Sequence, residues 1–149
     1  MLSRQIGLHY LRIRNIIFAH MRILIVDDSS LQRALWQHAL ADIAQGSQAN
    51  GGLLIFLAED GDGARSILAT QPIDVLVADI EMPGLDGWQV ARLAQRQTPG
   101  LPTIIVSSKV RSGQPPEDGL DPRCTFVVAK QDRAAAIEFV RKLIDKSDS

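Results

Sequence analysis

Residues 73–87 read IDVLVADIEMPGLDG. After Asp74 the first part is an unbroken run of Val, Leu and Ala that ends in an acid, Asp79. A short apolar run of this kind suits a strand buried on both faces of a parallel sheet. Pro72 closes the helical stretch before it, and Gly87 opens another that runs to about Arg96, where the turn Thr98-Pro99-Gly100 ends it. Between strand and helix, Pro83 fixes the backbone φ, and Gly84 and Gly87 shape the loop.

The same grammar repeats on either side. Residues 22–27 (RILIVD), 53–58 (LLIFLA), 102–107 (PTIIVS) and 125–129 (TFVVA) are short strand-like runs. Ser29 or Ser30 caps a helix after the first, with Leu31, Leu35 and Ala39 on one stripe and Trp36, Leu40 and Ile43 beside it. Polar, glycine-rich residues 45–52 (QGSQANGG) form a loop, and Glu59-Asp60-Gly61-Asp62-Gly63 turns into a helix lasting to about Thr70. Asp132 caps a last helix that repeats Ile137, Val140 and Ile144 on one face. Strands alternating with helices, with no hairpin signal, predict a parallel sheet with right-handed crossovers and helices on both faces. Five such strands make the flavodoxin-like doubly wound α/β fold, strand order 2-1-3-4-5.

One connection breaks the pattern. Residues 110–123 read VRSGQPPEDGLDPR where a helix should join the fourth and fifth strands. An interior proline costs a helix about 3 kcal/mol and a glycine about 1. This helix is therefore predicted to be short, displaced or replaced by a mobile loop.

The chain has 149 residues, of which 46% are apolar and 22% charged, which suits one globular domain. Its formal net charge of -1 supplies no basic field for nucleic acid or an acidic membrane. The single cysteine, Cys124, excludes an internal disulfide framework and fits a reducing, cytoplasmic setting. Residues 1–20, with Arg4, Arg12 and Arg14 and no acid, lack the pattern of a secretory signal, and no apolar run reaches transmembrane length. They read as an extension upstream of a true start at Met21, or as a basic amphipathic helix lying on a membrane or a partner. The domain is expected over 21–146, with 147–149 a tail.

In an open parallel sheet, ligands bind beyond the carboxyl ends of the strands, near the reversal of strand order. There the first strand ends in Asp27-Asp28, the third in Asp79 and the fourth in Ser107, and Lys130 follows the fifth. Three carboxylates at one edge repel unless a cation sits among them, and all-oxygen donors suit Mg²⁺ or Mn²⁺. A lysine and a hydroxyl beside them are what a phosphoryl group needs, since its transfer depends on charge neutralisation and positioning of its oxygens. A carboxylate nucleophile completes the set. Acids at strand ends commonly cap helices; that reading explains any one of these residues better than it explains all five.

Taken together, VDDSS, VADIEMPGLDG, PTIIVSS and the lysine after the fifth strand resemble the receiver domain of response regulators, from about Met21 to Asp145. The Asp-x-x-Met-Pro-x-x-Asp-Gly run at 79–87 is the most specific piece. The resemblance implies that Asp79 is the phosphoacceptor and that Asp27, Asp28, Asp79 and the backbone carbonyl of Glu81 hold Mg²⁺. It further implies that Ser107 is the switch hydroxyl, Lys130 the phosphate-binding lysine, and a sensor histidine kinase or histidine phosphotransfer protein the donor. A stand-alone receiver of this kind, not an enzyme in the usual sense, is expected to signal by binding an output protein rather than nucleic acid.

The departures concern output. Gln131 stands where the family usually has proline, so a cis bond after Lys130 is not expected. Val127 occupies the position of the family's switch aromatic; Phe126, one residue earlier, is predicted on the opposite face by period-two alternation. Phe126 and Val127 are the candidates for an output face. Two other readings fit less well: a phosphorylation-independent binding module, and an aspartyl-nucleophile phosphohydrolase, whose Asp-x-Asp signature is absent from the adjacent Asp27-Asp28.

Overall fold

The computed structural model describes residues 21–46 and 52–147. The two readings of residues 1–20, and most of the loop placed at 45–52, lie outside them. The elements are β1 (Met21–Val26), α1 (Ser30–Gly46), β2 (Leu53–Ala58), α2 (Gly61–Thr70), β3 (Val75–Ala78), α3 (Gly87–Gln97), β4 (Thr103–Ser107), β5 (Thr125–Ala129), a 3₁₀ turn (Lys130–Asp132) and α4 (Arg133–Ser147). The five strands are all parallel, in the order β2-β1-β3-β4-β5.

Because side chains alternate across a strand, the central strands feed two cores. Leu24, Val26, Leu76, Ala78, Ile105 and Val127 pack on one face with Ala64 of α2 and Trp88, Ala91 and Ala94 of α3. Ile23, Ile25, Val75, Val77, Ile104 and Val106 pack on the other with Trp36 and Leu40 of α1 and Val140 and Ile144 of α4. Double burial explains why these strands are continuously apolar.

Two local expectations change, and an open one is decided. The strands called at 22–27 and 73–79 are shorter at the site: Asp27 and Asp79 lie just past their strands, each held by one more backbone bond, Asp27 N–H to Ala58 O at 3.1 Å and Asp79 N–H to Val26 O at 2.9 Å, while the strand called at 102–107 keeps its end at Ser107. On α1, the buried side is Trp36 and Leu40, while Leu31 and Leu35 face solvent. Both stripes are apolar, and the sheet takes the one carrying the large indole. Ser29 does cap this helix, its Oγ accepting from Gln32 N–H at 3.3 Å. Asp132 does not cap α4: it belongs to the 3₁₀ turn, and its carboxylate accepts from the Ser112 hydroxyl instead.

No helix joins β4 to β5. The connection is nonetheless pinned. Val110 and Leu120 are buried in the core a helix would otherwise cover. Arg92 of α3 donates from Nε to Asp118 O at 2.9 Å and pairs with Glu117 at 2.6 Å. The buried Gln95 Nε2 donates to Thr103 Oγ1 at 3.1 Å and Thr125 Oγ1 at 2.8 Å, while its Oε1 accepts from Asp121 N–H at 3.0 Å. One side chain thus joins α3, β4, β5 and the loop. Gln95→Leu leaves the Asp121 N–H without its acceptor and is expected to lower stability by about 1–3 kcal/mol in urea denaturation. An unchanged midpoint would show that the loop is held elsewhere.

Candidate functional site

Register brings the acids together. Val26 pairs with both Ala58 and Ala78, so the residues that follow, Asp27 and Asp79, emerge side by side. Ser107 pairs with Ala129, which places Lys130 next to the end of β4. One carboxylate oxygen from each of Asp27, Asp28 and Asp79 lies within 4.8 Å of the others. Lys130 Nζ stands 3.3 Å from Asp79 Oδ2, with its side chain 31% exposed against 5% for Asp79.

Local bonds orient each group. Asp27 Oδ1 accepts from Ser29 N–H at 2.9 Å, and its carbonyl accepts from Arg33 at 2.7 Å. Asp79 Oδ1 accepts from Glu81 N–H at 3.3 Å. Ser107 is fully buried, and its Oγ accepts from Lys109 N–H at 3.2 Å. The Glu81 side chain turns to Lys109, Oε1 to Nζ 2.7 Å, joining the loop after β3 to the loop after β4. Burial raises the pKa of the Asp27 carboxyl, and the Asp79 charge adds to the rise against the lowering effects of the Ser29 amide and Lys130. The hydrogen bond to Glu81 raises that of Lys109.

Three carboxylates face one ammonium, so the cluster is short of positive charge. Its oxygen-only, anionic donors match what Mg²⁺ or Mn²⁺ takes. Asp27, Asp28 and Asp79 are the residues that could hold such an ion.

Of the two residues considered for an output face, Phe126 is 36% exposed and Val127 3%. Their side chains point to opposite faces, as alternation predicts; Phe126 packs against Phe139 of α4 in a tilted arrangement, with ring centroids 4.1 Å apart and ring planes at 46°. Only Phe126 offers a partner much surface. His38 is exposed beside Asp42, and Trp36 and Trp88 are buried packing residues.

Some contributors were not apparent beforehand. Asp60 Oδ1 caps α2 through Gly63 N–H, and Asp86 with Gln89 forms a capping box on α3. Both helix starts then lie against the 79–87 loop through glycine: a Cβ on Gly61 would stand 2.3 Å from Leu85 Cβ, and one on Gly87 2.2 Å from Asp79 O. The Asp86-x-x-Gln89 spacing was a readable signal for the cap. Lys109 and Arg33 carried none, because their partners are distant in sequence or on the backbone.

The response regulator receiver domain family matches residues 23–138. Among curated relatives, the protein-glutamate methylesterase/protein-glutamine glutaminase 2 of Burkholderia thailandensis is 33% identical over 93 residues, 62% of this chain and 24% of that protein. The DNA-binding transcriptional regulator NtrC of Salmonella typhimurium is 34% identical over 86 residues, 58% of this chain and 17% of that protein. The chain therefore spans at most about a quarter of these two proteins. Among solved structures, the response regulator protein TrrA of Thermotoga maritima, in complex with Mg²⁺-BeF, is 27% identical with a TM-score of 0.64, covering 83% of this chain and 98% of that one. No described helix is long and apolar enough to cross a membrane. With the parallel 2-1-3-4-5 sheet and the acidic cluster at its carboxyl edge, the match over residues 23–138 shows that the chain belongs to the response regulator receiver domain family of two-component systems.

Proposed function

We propose that Asp79 accepts a phosphoryl group from a phosphohistidine on a sensor kinase or phosphotransfer protein and that the domain signals through phosphorylation-dependent protein binding. The observation that carries this reading is the convergence of three carboxylates within 4.8 Å with the Lys130 ammonium 3.3 Å from Asp79. Asp79 attacks phosphorus, the phosphorus–nitrogen bond of the donor breaks, and an acyl phosphate forms on Oδ as the imidazole nitrogen keeps the electron pair. Asp27, Asp28, Asp79 and the Glu81 carbonyl are the residues that would hold Mg²⁺, which when bound neutralises charge on the phosphoryl oxygens. Lys130 follows the transferred group with its charge, and Ser107 donates its hydroxyl to one phosphoryl oxygen. The TrrA structure, solved in complex with Mg²⁺-BeF, supports Mg²⁺ and a phosphoryl group as ligands of a domain of this kind.

For output, the support is the exposed Phe126 with the half-buried Phe139 beside it, which line an apolar groove with Pro115, Pro116 and Pro122 of the remodelled loop. Incubation with a small phosphodonor such as acetyl phosphate is expected to give one acid-labile phosphate per chain in Mg²⁺ and none in EDTA. Absence of metal-dependent labelling together with absence of a beryllofluoride response sinks the proposal. Sustained turnover of a generic phosphate ester would replace it with the hydrolase reading.

A further inference from the structure

Lys130 begins a single 3₁₀ turn, Lys130–Asp132, between β5 and α4. Its long side chain carries roughly 2 kcal/mol of rotamer entropy, so its aim depends on how firmly the backbone beneath it is held. The hydroxyl of Ser112 bonds on both sides of that backbone. Its Oγ accepts from the N–H of Ala129, the residue before Lys130, at 2.9 Å, and its O–H donates to the carboxylate of Asp132, two residues after. The next residue reinforces the contact: Gly113, at φ +81, donates its N–H to Val127 O at 2.8 Å. Arg111 and Gln114 close the turn, with Arg111 N–H on Gln114 Oε1 at 2.8 Å. The helix-free connection thus lies along the outer edge of β5 and grips the strand end that carries the lysine.

We propose that Ser112 is a positioning residue for Lys130, fixing the turn from which the ammonium reaches the phosphoryl group on Asp79. This rests on the acceptor reading above and assigns its regulation to the loop that replaces a helix. Ser112 acts through the backbone of residues 129–132 and touches neither metal nor phosphate. The Ser112–Pro116 segment also walls the groove beside Phe126 and Phe139. A lysine drawn toward a phosphate therefore pulls on the groove wall through the same hydroxyl, and anything seated in the groove bears on the lysine in return.

The test compares the unaltered chain with Ser112→Ala and Ser112→Thr, titrating beryllofluoride at saturating Mg²⁺ and, separately, Mg²⁺ alone. Ser112→Ala is expected to weaken beryllofluoride binding about tenfold and to leave Mg²⁺ affinity within about twofold, because the carboxylates are untouched. Ser112→Thr, which keeps the hydroxyl, is expected to restore beryllofluoride affinity. Unchanged beryllofluoride affinity in Ser112→Ala overturns the inference. So does an equal loss of both affinities with no rescue by threonine, which marks a general structural role. If the unaltered chain itself gives no beryllofluoride response, the acceptor reading fails first and this one with it.

Discussion

An Asp79→Asn variant is expected to take up no acid-labile phosphate and, without metal, to melt a few degrees above the unaltered protein. The two effects have one cause. The amide keeps the shape of the side chain and an oxygen for the Glu81 N–H, 3.3 Å away in the parent. It lacks the anionic oxygen that attacks phosphorus, so labelling falls to background. In the metal-free fold the Asp79 carboxylate is 5% exposed and has two like charges within 4.8 Å against one ammonium at 3.3 Å. Unit charges about 4 Å apart interact by about 4 kcal/mol at an effective dielectric of about 20, so two repulsions outweigh one attraction of similar size. Burial of the charge adds to the imbalance. A net gain of about 1 kcal/mol raises the melting temperature by about 2–8 °C for domains of this size range. The pair of measurements separates a lost nucleophile from a lost fold. Residual Mg²⁺-dependent labelling in the variant would move the acceptor to Asp27 or Asp28.

The fold was legible because burial on both faces of a parallel sheet leaves a direct mark: five short apolar runs separated by helical stretches. The site was legible for a related reason. Strand ends can be located from sequence, and in this topology the carboxyl ends share an edge, so Asp27, Asp28, Asp79, Ser107 and Lys130 could be placed together without knowing any distance. The irregular 110–123 connection was legible as the absence of a helix, since proline and glycine act locally. What replaced the helix was not. Gln95, Arg92 and Ser112 hold that segment through partners up to 30 residues away, and no periodicity encodes such pairings. The choice between the two stripes of α1 was left open for a similar reason: Leu31 and Trp36 are both apolar, and only packing on the sheet decides between them. The two glycines shape the loop in different ways. Gly84 does occupy positive φ, at +75, but Gly87 does not; its constraint is space, which depends on a backbone eight residues earlier.

That constraint gives the second large effect. Gly87→Ala is expected to destabilise the domain by about 3 kcal/mol and to abolish the beryllofluoride response even where the fold survives. An alanine Cβ at this position would stand 2.2 Å from Asp79 O, 2.8 Å from Asp79 C and 3.0 Å from Ile80 Cα. All three are backbone atoms, so no side-chain rotation relieves the contact. Overpacking commonly costs 1–3 kcal/mol, and a clash with fixed backbone belongs at the upper end of that range. Helix propensity pulls the other way, alanine being favoured over glycine by about 1 kcal/mol inside a helix, which is too little to compensate. Relief must come from moving the start of α3 or the peptide of Asp79. The Asp86 capping box, with Asp86 Oδ1 accepting from Gln89 N–H at 2.9 Å, and the Gly87 N–H to Ile80 O bond at 3.2 Å resist the first. The Asp79 N–H bond to Val26 O at 2.9 Å resists the second, but it holds only one side of the residue. Displacement therefore falls on Asp79 and Ile80, the link between the acceptor carboxylate and the Glu81 carbonyl. Gly46→Ala is the control: among the described residues no atom lies within 4 Å of a Cβ there, so neither stability nor beryllofluoride response should fall. A Gly87→Ala protein that keeps both would show that the loop after β3 yields freely, and that Asp79 is not held by the close approach of α3.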